Sequence, residues 1–273
     1  MAGSLKAVSF DLWDTLVVDD SDEHRRKSLG LRTKKEERRS LVWKALHSHE
    51  PIELELVRLA YNVTDAAFNK VWHDQHVTWP IGERLLVLLK GLGRTLPDED
   101  FNEAVEAHQV MEVDIPPDPM PHVSAALAEL KERYKLCVVS DAIVTPGTEL
   151  RRLLEKHDLA KFFDAFIFSD EVGNSKPHPK MFEAAAAALG VKLKEIVHVG
   201  DRQHNDVAGP QALGLKAVMF VGSRAVDRDK STADAVCDDM AALPGIIDAL
   251  ASRPAPKKIA PSRKARTPKG KPR

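Results

Sequence analysis

The chain lacks most of what would staple or anchor a small extracellular protein. Of its 273 residues only two are cysteine, Cys137 and Cys237. Both sit in apolar runs and read as small buried hydrophobes, which excludes a disulfide framework. No His/Cys cluster has zinc-site spacing, so His198 and His204 read as structural residues or neighbours of a site. No stretch approaches the ~18 consecutive apolar residues that cross a bilayer. Residues 1–6 run straight into a strand-like segment, without the charged-then-apolar pattern of a secretory leader. The expectation is therefore a cytoplasmic chain with no membrane partner. Acidic residues are missing from Arg253–Arg273, which carries nine Lys or Arg, so the rest of the chain bears −10 although the net charge is −1. With one large apolar residue, Ile259, this segment cannot bury enough surface to offset its ordering entropy, and residues 252–273 are expected to be a disordered basic tail. It has no aromatics to stack on bases, so weak polyanion binding is the most it offers, and nucleic acid is not an expected partner.

Hydrophobic residues make up 43% and charged residues 30%, an ordinary globular balance with ample material for a core. Apolar runs at 7–10, 136–139, 165–168, 196–199 and 217–221, with a short one at 235–237, read as buried strands. Helical patterns lie between them at 123–130, 149–159, 180–189, 205–213 and 239–250. Strands alternating with helices of this length predict βαβ units and a parallel sheet covered on both faces. Residues 18–116 break the rhythm. They show only helical patterns, at 38–48, 52–61, 64–72, 82–92 and 100–110, with Thr64 or Asp65 placed as a cap. The Pro-rich segment 116–121 is the expected return point. The predicted division is an α/β core from 1–17 and 117–251 with an all-helical insertion over 18–116.

Four features fall at the carboxyl ends of predicted strands, where open α/β sheets build their sites. These are Asp11 with Thr15, Ser140 with Asp141, Lys176, and Asp201 with Asp206. Each alone has a plain structural reading as a turn, cap or loop residue. Together they converge on one crevice and supply a carboxylate nucleophile, a hydroxyl donor, a cation and an acidic metal-binding pair. That inventory suits phosphoryl transfer.

The segments Phe10-Asp11-Leu12-Trp13-Asp14-Thr15-Leu16, Val138-Val139-Ser140-Asp141, Ser175-Lys176-Pro177 and Gly200-Asp201 through Asp206 resemble, in order and spacing, the four motifs of the haloacid dehalogenase-like (HAD) hydrolase superfamily. The resemblance covers roughly residues 5–250. It implies a Rossmann-like core with a helical cap after the first motif, and hydrolysis of a small phosphorylated substrate through an aspartyl-phosphate. It places Asp11 as nucleophile, and Lys176 as the cation between nucleophile and phosphate. Thr15, Ser140, Asp141 and Lys176 form the phosphate cradle. Mg²⁺ falls on Asp11, the Trp13 carbonyl, Asp201 and Asp206.

One position departs from that pattern. Phosphatases of the superfamily usually carry an acid/base Asp two residues after the nucleophile, where this chain has Trp13. Three readings follow. In the first, Asp14 or a cap residue takes over proton transfer, against a plain turn role for Asp14. In the second, the chain is a carbon–halogen hydrolase, which needs no leaving-group proton. In the third, it is a non-catalytic phosphate- or partner-binding domain. The basic run from Arg25 to Arg39 could hold an anionic leaving group, but interspersed Glu36 and Glu37 favour a solvated helix face; Trp43, Trp72 and Trp79 could line a pocket for an aromatic or sugar moiety, but read rather as packing residues.

Overall fold

The computed structural model describes residues 5–252, so the expected basic tail at 252–273 lies outside the described residues except for Ser252, which ends the last helix. Six strands form one parallel sheet: β1 (Ala7–Phe10), β2 (Lys135–Ser140), β3 (Ala165–Phe168), β4 (Ile196–Gly200), β5 (Lys216–Phe220) and β6 (Ala235–Cys237). Their order is β3-β2-β1-β4-β5-β6. β1 lies between β2 and β4, and its four residues are buried because both edges and both faces are covered. Side chains alternate between faces along each strand. Val8, Phe10, Leu136, Val138, Val197 and Val199 point into one core layer. Ala7, Cys137, Val139 and Ile196 point into the other, against the helix Pro179–Leu189.

The chain order reverses at β1, since β2 and β3 lie on one side and β4, β5 and β6 on the other. Connections leaving β1 and β4 part there, which opens a crevice at their carboxyl ends. The register pairs Phe10 with both Val138 and Val199. Residues just after β1, β2 and β4 therefore reach the same level.

The helical insertion after β1 comprises α1 (Asp22–Ser28), α2 (Lys34–His49), α3 (Leu54–Gln75), α4 (Ile81–Gly91), α5 (Asp98–Gln109) and α6 (Met111–Asp114). It has its own apolar core, centred on Val42, Leu46, Val57, Tyr61, Ile81, Leu85 and Leu88. Three sequence expectations are corrected here. The patterns at 52–61 and 64–72 are one continuous helix, α3, because no Pro or Gly interrupts it. Thr64 is buried within it rather than serving as a cap. The basic run is not uniformly a solvated face: Arg26, Lys34 and Arg39 are buried.

Buried polar contacts join the insertion to the sheet layer. The Ser175 N–H donates to the His76 carbonyl at 2.8 Å. The Thr78 hydroxyl lies 2.7 Å from that of Ser169 and 2.6 Å from that of Ser175. Arg84 donates to the Ile143 carbonyl at 2.9 Å, and Thr145 donates to Glu112. Among the described residues no helix is long and apolar enough to cross a membrane.

Candidate active site

Asp11 leaves β1 with its N–H donating to the Val199 carbonyl at 2.9 Å, which fixes it at the reversal point. The chain then turns tightly, with the Leu16 N–H returning to the Leu12 carbonyl at 2.8 Å. Asp14 takes a left-handed conformation in this turn (φ 55°), one that Asp tolerates better than most residues. Its carboxylate accepts from the Ser223 hydroxyl at 2.6 Å. The residues around the adjacent cavity of about 200 Å³ do not include Asp14, whereas Asp11, Trp13, Asp141, Lys176 and Asp206 all line it. The geometry thus gives Asp14 a turn and a hydrogen bond of its own, away from the nucleophile position.

Lys176 organises the centre. Its Nζ donates to Asp11 Oδ1 at 2.6 Å and to Asp206 Oδ1 at 2.7 Å. Its backbone N–H donates to Asp141 Oδ1 at 2.8 Å. Asp206 is held from further sides by the Arg202 N–H at 2.9 Å and by His198 Nε2 at 3.3 Å. His198 Nδ1 in turn meets the Ser9 hydroxyl at 2.8 Å. Gly200 permits this packing: a Cβ there would lie 2.5 Å from Asp206 Cγ.

The charges respond to this enclosure. Burial raises the Asp11 pKa above its usual value, with Lys176 pulling the other way. Burial likewise pushes Asp141 up to about 7, and burial together with Asp11 and Asp206 pushes Asp201 up to about 8. Asp206 is also desolvated, but Lys176 and His198 overcome this and hold it below the carboxylate range. Lys176 is held above its ordinary value by Asp11, Asp206 and Asp141 despite its burial.

Oxygens of Asp11, Asp201 and Asp206 lie within 4.8 Å of one another, and all three residues are buried. Asp201 Oδ1 is buried with no hydrogen-bond partner, although Oδ2 receives Arg224 at 3.2 Å. Three crowded carboxylates, one with an unpaired oxygen, form an oxygen donor set that fits a hard divalent cation. The Thr15 hydroxyl is also buried and unpartnered beside this cluster's strand, and Ser140 is fully buried at the end of β2.

Arg202, Asn205 and Glu112 on the wall escaped the sequence reading. Arg202 and Asn205 line the cavity, and the only signal for Arg202 was its place directly after Asp201. Lys34, Arg38 and Glu112 reach the wall from the insertion. Lys34 Nζ lies 2.9 Å from Asp22 Oδ1, and Arg38 donates to Glu112 at 2.7 Å. Trp72 faces the cavity too, whereas Trp43 and Trp79 pack against other apolar or aromatic groups. Asp19, on the same wall but exposed to water on its outer side, is pushed up to about 6 by desolvation and by Asp20.

The parallel sheet reverses at β1 and carries there a buried carboxylate, a buried lysine bonded to it and an acidic trio, an α/β fold with its polar site at the carboxyl ends of the strands. A family model for haloacid dehalogenase-like hydrolases matches residues 5–214, and the chain belongs to that family. Among curated relatives, a glyceraldehyde 3-phosphate phosphatase of Pyrococcus furiosus is 33% identical over 123 residues, 44% of this chain and 49% of that protein. The chain thus spans about half the length of the curated relatives it matches. Two solved structures share the fold. An HAD phosphatase from Thermococcus onnurineus has TM-score 0.61 at 24% identity, covering 89% of this chain and 98% of its own. A 2-haloacid dehalogenase from Pseudomonas syringae has TM-score 0.62 at 21% identity, covering 90% and 99%. The same fold therefore carries both chemistries, and the choice between them rests on the site.

Proposed function

We propose that the chain is a Mg²⁺-dependent phosphatase of a small phosphorylated metabolite, working through an aspartyl-phosphate on Asp11. The observation that carries this reading is the Lys176 ammonium 2.6 Å from Asp11, beside the Asp11, Asp201 and Asp206 trio. Asp11, Asp201, Asp206 and the Trp13 carbonyl would hold Mg²⁺, which when bound supplies positive charge against the substrate phosphate. The curated phosphatase relatives support the same reaction class. An acidic trio has no use in halide displacement, which favours phosphate over a haloacid.

In this reading a desolvated Asp11 oxygen attacks phosphorus, and the bond from phosphorus to the leaving oxygen breaks. Lys176 neutralises the charge that would otherwise repel the incoming dianion. Thr15, Ser140 and the backbone near Asp141 take the phosphoryl oxygens. Water then splits the aspartyl-phosphate, releasing inorganic phosphate and restoring the Asp11 carboxylate. Trp13 cannot exchange the proton these steps require, and Asp14 is engaged with Ser223. Asp19 takes that role from the cavity wall, as a carboxyl whose pKa is shifted toward neutrality. Residues 18–116 act as the cap that closes over the substrate. The two buried free thiols suit a cytoplasmic setting.

The test is phosphate release from p-nitrophenyl phosphate with Mg²⁺ and with chelator, for wild type and Asp11→Asn. Mg²⁺-dependent release that drops at least ~10³-fold in the variant is the expected result. Retained activity in Asp11→Asn, or no release across a broad phosphate panel, would overturn the reading. Chloride release from a 2-haloacid in chelator would turn it toward carbon–halogen hydrolysis.

A further inference from the structure

The segment that leaves β5, residues 222–232, approaches the acidic trio without lining the cavity. It is seated at both ends. At its start the Val221 N–H donates to the Cys237 carbonyl at 2.9 Å, and a Cβ on Gly222 would lie 2.5 Å from the Phe220 ring. At its far end the Gln203 side-chain amide donates to the Thr232 hydroxyl at 2.9 Å and accepts from the Thr232 N–H at 3.1 Å. Between them Asp227 Oδ2 accepts from the Gln203 N–H at 3.3 Å. Gln203 lies between Asp201 and Asp206, so the segment is sewn to the stretch that carries both.

From this seat two consecutive residues reach the two sides of the cation site. Ser223 donates to the Asp14 carboxylate at 2.6 Å. Asp14 directly follows Trp13, whose carbonyl is one of the ligands assigned above. Arg224 Nη1 lies 3.2 Å from Asp201 Oδ2, 3.3 Å from the Asp201 carbonyl and 3.3 Å from Asp227 Oδ2. Lys176 bonds Asp11 and Asp206 from within the cavity, whereas Arg224 alone donates to the Asp201 carboxylate among the described residues. Arg202 Nε is 4.0 Å from the same oxygen.

The two Asp201 oxygens are therefore in different service. Oδ2 is held by Arg224, and Oδ1 is buried without a partner. The Asp201 side chain is 1% exposed, so its contact with Arg224 is screened little. A carboxylate held in this way offers a metal one oxygen, not two. That distinction separates two hard cations. Mg²⁺ takes single oxygens in a near-octahedral set at about 2.1 Å, whereas Ca²⁺ accepts looser sets at about 2.3–2.6 Å and grips carboxylates through both oxygens.

We propose that Ser223 and Arg224 brace the cation site and set its discrimination between Mg²⁺ and Ca²⁺. Arg224 keeps Asp201 to one oxygen, and Ser223 fixes the turn behind the Trp13 carbonyl. Asp14 is then a positioning residue, acting through that turn. The inference rests on the reading of Asp11, Asp201, Asp206 and the Trp13 carbonyl as Mg²⁺ ligands.

The test is calorimetry of the full chain with Mg²⁺ and with Ca²⁺, without substrate. Its readout is the ratio of the two affinities. Arg224→Met should shift that ratio toward Ca²⁺ by ~10-fold or more, the scale on which partners of ligand residues act. Loss of the arginine charge by itself would strengthen both cations alike and leave the ratio unchanged. Ser223→Ala should shift it the same way by roughly threefold, since that bond lies at the surface and competes with water. Asp14→Asn keeps an acceptor oxygen and tolerates the left-handed turn, so it should hold the wild-type ratio. Asp14→Gly keeps only the turn and should match Ser223→Ala. A ratio unmoved by Arg224→Met and Ser223→Ala overturns the brace, and equal shifts in Asp14→Asn and Asp14→Gly overturn the part given to Ser223. A wild-type chain that binds neither cation overturns the Mg²⁺ reading itself.

Discussion

Replacing Lys176 with methionine tests the electrostatic frame most directly. The ammonium sits 2.6 Å from Asp11 and 2.7 Å from Asp206, with the lysine side chain 3% exposed and the carboxylates 8% and 0%. Methionine keeps most of the volume and removes the charge. Asp11 and Asp206 then face each other and Asp201 with their common cation gone. Breaking a buried pair in this way costs ~3–5 kcal/mol, because one side's charge is left uncompensated. Urea unfolding at neutral pH in chelator reads that loss as a lower midpoint at unchanged slope. Asp11→Asn removes one of the stranded charges, so the double variant Lys176→Met/Asp11→Asn should recover part of it. Acidification should also recover part, since an Asp11 whose pKa is already raised protonates further above the usual carboxylate range once the lysine is gone. A loss below ~1 kcal/mol, or a double variant no more stable than Lys176→Met alone, would refute the claim that Lys176 neutralises this cluster.

Two further outcomes follow from the same geometry. Gly200→Ala sets a Cβ 2.5 Å from Asp206 Cγ, and Asp206 is pinned by Arg202 and Lys176. It should cost ~1–3 kcal/mol of stability and at least tenfold in phosphate release, whereas Gly245→Ala, with open space around it in the last helix, should gain ~0.5–1 kcal/mol in the same melts. If Asp19 is the proton donor, kcat/KM for alkyl phosphates should fall as pH rises through its pKa, because a general acid works protonated. Its exposure to water puts that limb at or below pH 6. Asp19→Asn should abolish the limb and lower alkyl phosphate turnover by ~10²-fold or more, while p-nitrophenyl phosphate, whose leaving group needs little protonation, is spared; equal losses on both would remove Asp19 from that role.

The strands were the most legible part of this chain. β1 begins and ends at the residues its apolar run marks, because a strand buried on both faces is written as a continuous apolar run. The convergence of Asp11, Lys176 and Asp206 was legible for a related reason, since parallel strands deliver their carboxyl ends to one level. What local pattern cannot carry is contact between distant segments. The continuity of α3 is settled by packing along its whole length. Trp72 and Arg38 reach the cavity because α2 and α3 fold over it, and nothing in their immediate neighbours marks that. The Lys34 and Arg39 charges looked solvated in sequence because their partners Asp22 and Asn62 carry no spacing signal. Asp14 was readable as a turn residue or as a displaced acid, and the turn is what the chain forms; its bond to Ser223 depends on a loop more than 200 residues away.

The buried bonds from His76, Thr78, Arg84 and Glu112 to the sheet layer have a consequence for timing. Swinging the helices away from the crevice would break about five hydrogen bonds, worth ~1 kcal/mol each. At 1.4 kcal/mol per factor of ten, the open form is then roughly one molecule in a thousand or rarer. For the cap movement proposed above, ligand traffic would then be paced by the lifetime of those contacts as much as by events at Asp11. Weakening the Thr78, Ser169 and Ser175 hydroxyl triad would speed exchange long before it unfolded the chain.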